Sequence, residues 1–276
     1  MRSTGSWERF GEDKTLVVEE KLAGHGTGYQ ERRYRNLLLE QGLVSFQVQV
    51  KETDLYIKAT QNLEEPAYQS ILHYRYQLEQ YILGHPDFFH SLVPLEDDEF
   101  APPIVRRMIW AARCAGVGPM AAVAGAMAEA VGQDLLKESS EVIVENGGDI
   151  FLRSSKEVKV GIFAGASPLS LRIGLRLPAA EHPRGICTSS ATVGPSLSFG
   201  RADAVCVLAD SAALADGAAT AVGNVVQSPL DLERGLEKAR SIEGLNGVVI
   251  ILGDKLAAWG QIQLTDIGPA EVGHGP

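Results

Sequence analysis

Between residues 141 and 188 the chain breaks into short apolar runs divided by glycine, serine and proline, and this punctuation constrains the fold more than any other feature. The runs cover 141–145, 149–152, 158–163, 169–177 and 185–188, and stretches of that length bounded by turn residues read as strands of antiparallel meanders. Upstream, 43–50 alternates apolar and polar residues, as does 55–59, and Glu52, Thr53 and Asp54 between them make the pair a hairpin. Downstream, further strands are expected at 204–208, 248–252 and 257–263.

Helices fall between these groups. Tyr68, Ile71, Leu72, Leu78, Tyr81 and Ile82 recur at helical spacing across 65–83, and Gly84 and Pro86 stop the pattern. A Pro-bearing acidic connector over 94–103 leads to helices at 104–115 and 120–136, and two more follow at 214–226 and 230–240. Hairpin strands around paired helices, then the same again, predict an α+β fold: antiparallel sheets with helices packed on one face. The βαβ alternation of a Rossmann domain is missing, and no internal sequence repeat is visible.

Composition narrows the function classes. At 276 residues the chain has room for one large domain or two ordinary ones, and 45% hydrophobic with 22% charged residues excludes disorder and fibre. A formal charge of −10 disfavours nucleic acid as a main partner. The uncharged run 115–128 is too short to cross a bilayer, which needs about 20 mostly apolar residues. Residues 1–30 carry Glu12, Asp13, Glu19 and Glu20 and no apolar run of signal-peptide type. Cys114, Cys187 and Cys206 have no metal-ligand spacing and suit a reducing compartment, so a cytoplasmic protein is expected.

Two segments carry candidate chemistry. In Glu145-Asn146-Gly147-Gly148-Asp149-Ile150 a two-glycine turn lets the backbone approach a ligand, with N–H groups free to face an anion and Asp149 able to accept from hydroxyls. Asn-Gly is also the commonest hairpin turn, so a purely structural role stays open. In Ala215-Asp216-Gly217-Ala218-Ala219-Thr220-Ala221, Asp216 and Thr220 lie four apart on one helix face, two hard oxygen donors suited to Mg²⁺. Asp216 near a helix start equally suits the helix dipole.

The order of Met120-Ala121-Ala122-Val123-Ala124-Gly125-Ala126, then Asn146-Gly147-Gly148-Asp149-Ile150, then Thr188-Ser189, then the Asp216 to Thr220 helix resembles the flavin transferase (ApbE) superfamily. That family has an Ala-Lys-Gly helix, a Gly-Gly-Asp-Ile turn, a Thr-Ser-Gly segment and an Ala-Asp-x-x-Ala-Thr-Ala helix in this order. The stretch Glu31-Arg32-Arg33-Tyr34-Arg35 leading into the first hairpin looks like a shorter ApbE-like branch rather than the transferases themselves. The resemblance implies a tunnelling-fold-like, structurally duplicated layout, with 1–30 an N-terminal extension and 31–276 one domain. It also implies FAD or FMN as ligand and Mg²⁺ as cofactor, with FMN passed to an acceptor protein and AMP released. Carried over, Asp216 and Thr220 become metal ligands, with a backbone carbonyl near Ala122 to Ala124 as a third. Asn146, Gly147, Gly148, Asp149, Thr188 and Ser189 line the nucleotide.

Two parts of the family pattern are missing. Ala122-Val123-Ala124-Gly125 stands where the family has its lysine, and Ser190 to Arg201 lacks the His-x-x-Asp-Pro-x-Thr-Gly segment. The expectation is therefore a flavin- or nucleotide-binding protein of weakened transferase chemistry, the alternative being a Mg²⁺-dependent FMN transferase or FAD pyrophosphate hydrolase. Arg201, or one of Arg32, Arg33 and Arg35, is a candidate replacement cation. Those three arginines otherwise read as a solvated face, His182 as a solvated loop residue, 24–28 as a flexible loop and Cys187 as a buried structural thiol.

Overall fold

The computed structural model describes residues 42–190 and 199–267. The expected boundary at residue 30, the 24–28 loop, Arg32, Arg33 and Arg35 lie outside them.

The first hairpin forms as read, β1 (Val44–Val50) and β2 (Thr53–Ala59). Helix α1 (Glu64–Gly84) follows, then a short α2 (Pro86–His90) that no periodicity announces. Next come α3 (Pro103–Ala115), ended by Gly116 at φ +80°, and α4 (Val123–Leu135), entered through a 3-10 turn at Pro119–Ala122. The meander is β3 (Val142–Asn146), β4 (Asp149–Ser154), β5 (Val158–Gly161), β6 (Ile173–Leu177) and β7 (Ala180–Ser189). The chain closes with β8 (Ala204–Ala209), α5 (Ala212–Val225), α6 (Leu232–Arg240), β9 (Leu245–Leu252), β10 (Lys255–Gly260) and β11 (Leu264–Asp266). Strand β7 reaches further upstream than expected and takes in His182, which is exposed on a strand rather than in a loop. The segment before β6 is a turn instead of strand, with Leu171 at φ +57°.

All neighbouring strands pair antiparallel in an eight-stranded sheet of order β1-β2-β3-β4-β7-β8-β9-β10. Its halves, β1–β4 around α1 to α4 and β7–β10 around α5 and α6, repeat one plan and join where β4 pairs β7. A second sheet, β11-β6-β5, covers the other face. Side chains alternate across a strand, so Val144, Phe151, Cys187 and Val248 pack into the helix layer. Ile143, Leu152, Ile186 and Val249 pack beneath the small sheet. Burial on both faces explains why 204–209 is apolar at every position instead of alternating. Among the described residues no single helix is long and apolar enough to cross a membrane.

Small residues let the helices meet closely. A Cβ on Gly125 would lie 2.2 Å from the Ala212 carbonyl oxygen, and one on Gly185 2.3 Å from the Ala212 Cα. Glycine at these two positions is what brings α4 and β7 against the first residue of α5.

Candidate functional site

Asn146 and Asp149 face each other across a two-residue turn in which Gly147 (φ +67°) and Gly148 (φ +112°) both adopt positive φ. That geometry is the type I′ hairpin, so the structural reading of Asn-Gly accounts for the backbone. The turn is tied down because the Gly148 N–H donates to Glu145 Oε1 at 2.9 Å.

What the turn presents to the helices goes beyond a hairpin. Asn146 Nδ2 donates to the Ala124 carbonyl at 3.1 Å, and the next residue of α4, Gly125, donates its N–H to Asp216 Oδ2 at 2.9 Å. Asn146 and Asp216 therefore meet at the N-terminus of α4. Ala122, the residue that opens α4, offers no side-chain cap. Asp216 fills that role from α5, 91 residues away in sequence, with the Ala124 amide contributing as well.

Asp149 joins the same cluster from below. It pairs with Cys187 across β4 and β7, and accepts hydrogen bonds from the Cys187 thiol and the Thr188 N–H. Burial, then the charge of Asp216, then that of Glu145 hold its carboxyl well above the ordinary carboxylate range, with the two hydrogen bonds opposing. Burial pushes Asp216 up to about 7, against the pull of the Gly125 and Ala124 amides. Both residues keep some solvent exposure. Two acids in one partly dry space resist ionising together. The Cys187 thiol is raised too, by burial and then by the two aspartates, and its Sγ lies 3.2 Å from the Ala212 carbonyl oxygen, a second acceptor for its single proton. It is a buried structural thiol.

The remaining expected residues divide. Thr220 lies one turn beyond Asp216 on α5, half-buried, and its hydroxyl makes no hydrogen bond to any described residue. Ser189 shares the helix-facing side of β7 with Cys187 by strand alternation. Thr188 points the other way: its hydroxyl bonds the Cys206 thiol beneath the small sheet, and only its backbone N–H reaches Asp149. Arg201 is exposed and its N–H donates to the Val226 carbonyl, placing it past the far end of α5 from Asp216. Residues 191–198, most of the segment where the family's histidine motif would stand, lie outside the described residues.

A second acid escaped the sequence reading. Glu129 on α4 is 6% exposed, and its Oε2 accepts from the Ser211 hydroxyl at 2.7 Å and the Ala213 N–H at 3.1 Å while Oε1 pairs with Arg107 at 2.6 Å. It caps α5 as Asp216 caps α4. Each helix thus anchors the other's N-terminus with a carboxylate, a favourable place for negative charge. An acid standing in the apolar run from Val123 to Val131 was the visible signal.

Comparison with known proteins shows the family and the fold. Residues 35–257 match the family model described as AbpE bacteria. The chain belongs to the ApbE family, in its UPF0280 branch. It is 43% identical over 219 residues to a UPF0280 protein of Methanocaldococcus jannaschii, covering 77% of this chain and 89% of that one. It is 40% identical over 229 residues to one from Methanosarcina acetivorans, with 82% and 89% covered. The fold is that of the flavin transferase ApbE from Vibrio cholerae and of a variant of it, with TM-scores of 0.50 and 0.51 at 13% identity, covering 79% of this chain and 96% of theirs. The ApbE-like antiparallel architecture expected from the motif order is thereby shown.

Chemically, the cluster offers hard oxygen donors. Among the described residues no three His, Cys, Asp or Glu side chains are arranged to hold a metal ion by themselves. The carboxylates of Asp149 and Asp216 and the hydroxyl of Thr220 suit Mg²⁺, an ion that keeps several waters or substrate oxygens in its shell.

Proposed function

We propose that this UPF0280 protein binds a flavin nucleotide, FAD or FMN, with Mg²⁺, between the Gly-Gly-Asp turn and the Asp-x-x-x-Thr helix, and flavinylates acceptor proteins poorly or not at all. The observation that carries this reading is the meeting of Asp149 and Asp216, from segments far apart in sequence, at the N-terminus of α4. In a fold shared with flavin transferases, such a pair suits a phosphate-bound cation better than it suits stability.

Asp216 and Thr220 would hold the ion, which when bound supplies charge neutralisation to a pyrophosphate. The other roles belong to the chain itself. The Gly125 amide fixes the Asp216 carboxylate, and Asn146 fixes the Ala124 carbonyl. Gly147 and Gly148 carry no side chain to keep a nucleotide off the turn, and Asp149 accepts from its hydroxyls.

The weak transfer chemistry follows from missing groups. The family's lysine has no counterpart, and Gly125 has no room for any side chain against the Ala212 carbonyl. Losing one such transition-state contact typically costs about 10²- to 10³-fold in rate.

Calorimetry with FAD and Mg²⁺ on the parent and Asp216→Asn tests the binding. FAD affinity should rise with Mg²⁺ in the parent and not in the variant, and equal metal dependence in both would refute the assignment. Incubation with FAD, Mg²⁺ and a Thr-bearing acceptor should release little AMP. Rapid release abolished by Asp216→Ala would make the protein a transferase or pyrophosphate hydrolase.

A further inference from the structure

A groove of about 990 Å³ runs along the outer face of α3, between α3 and Ser211 at the start of α5. Its wall is a stripe of Arg106, Arg107, Trp110 and Arg113 at helical spacing, with Glu129 and Ser211 behind it. The opposite face of α3 is Ile104, Val105, Met108, Ile109 and Ala112, all buried, so of the stripe only Arg107, through its ion pair with Glu129, helps to hold the helix.

Its charge runs against the molecule as a whole. The chain carries a formal −10, yet among the described residues three guanidinium groups and no lysine line this groove. Of the two acids present, Glu129 is already matched by Arg107, Ser211 and the Ala213 N–H, and Asp97 is the other. Arg106 and Arg113 form no ion pair with any described residue. Trp110 stands between them 47% exposed, although a large aromatic ring gains most by burial.

We infer that this groove is a second binding site, for a phosphate ester carrying a flat ring, the chemistry of a nucleoside monophosphate. Guanidinium forks match phosphate oxygens in pairs, and the ring stacks on the indole. Arg107, pinned by Glu129 at 2.6 Å, is an oriented donor needing little ordering on binding. The volume lies within the range of small-molecule sites, roughly 300–1,000 Å³. An acidic peptide is the weaker fit, because an extended strand needs backbone partners and the wall is a helix whose own hydrogen bonds are satisfied internally.

The test uses the full-length protein and adenosine 5′-monophosphate (AMP), titrated by calorimetry and by quenching of tryptophan fluorescence. The parent should bind AMP more tightly than it binds adenosine or inorganic phosphate. Arg106→Ser combined with Arg113→Ser, both at exposed positions, should weaken AMP at least tenfold, and Trp110→Leu should remove the quench. Asp216→Asn should leave AMP affinity unchanged. Equal affinity in the parent and the double arginine variant overturns the proposal, as does a polyglutamate peptide binding where AMP does not. AMP binding lost in Asp216→Asn but kept in the arginine variant also overturns it, and leaves the flavin site standing.

Discussion

Gly125→Ala adds one methyl group where the two helices of the carboxylate cluster touch. An ideal Cβ there lies 2.2 Å from the Ala212 carbonyl oxygen and 2.8 Å from both the Ala212 carbonyl carbon and the Asp216 Cβ. Carbon and carbonyl oxygen ordinarily meet no closer than about 3.3 Å, so α4 and α5 must part by roughly 1 Å. The obstacle is backbone at the first residue of α5, so no rotamer change relieves it. Overpacking of this kind costs about 1–3 kcal/mol. Stretching the Gly125 N–H bond to the Asp216 carboxylate, 2.9 Å in the structure, adds about 1–2 kcal/mol. Alanine's better helix propensity returns about 1 kcal/mol. The net is a loss of about 3 kcal/mol, which lowers the melting temperature by roughly 6–12 °C in a domain of this size. Scanning calorimetry measures it, with Gly84→Ala as control, since a Cβ there meets nothing within 4 Å. A Gly125→Ala protein melting within about 2 °C of the control would refute the close contact of α4 with α5, and with it the account of how Asp216 is held.

Two further outcomes follow from the same cluster. Burial raises Asp216 from 3.8 to about 7, so the folded chain keeps a proton that the unfolded chain has released, and its contribution to stability is complete below about 3.8 and lost as pH rises through 7. In chelator-containing buffer Asp216→Asn should therefore gain about 1–3 kcal/mol on the parent between pH 5 and pH 8, discounted for partial exposure. Urea unfolding giving the same difference at both pH values would refute it. Glu129→Ala removes the acceptor for Ser211 and the Ala213 N–H and the partner of Arg107, and should cost about 3–5 kcal/mol in urea unfolding, whereas Ser211→Ala should cost only about 1 kcal/mol. Similar losses in the two would show that Glu129 is not the shared anchor.

Elements and turns were legible in the sequence because their causes are local. Alternation marks the first hairpin, Gly84 and Pro86 end α1, and Asn-Gly-Gly-Asp writes its own turn in residues that tolerate positive φ. Motif order was enough to point to the fold, although overall identity to the solved transferases of that fold is only 13%. Pairing across the chain was not legible, because it depends on partners that no local window contains. Asp216 reads equally as a metal ligand or a dipole residue, and nothing near it in sequence shows that it accepts from the Gly125 N–H of another helix. Thr188 and Ser189 read as equivalent hydroxyls until pairing with β4 and β8 turns them to opposite faces of the sheet. Glu129 has no charged partner near it in sequence to mark it, and only the packing of α5 places Ser211 and Ala213 against it. Periodicity decides which face of an element is buried, whereas the acid left uncompensated inside that face is decided by what packs on it, and that is a property of the tertiary structure alone.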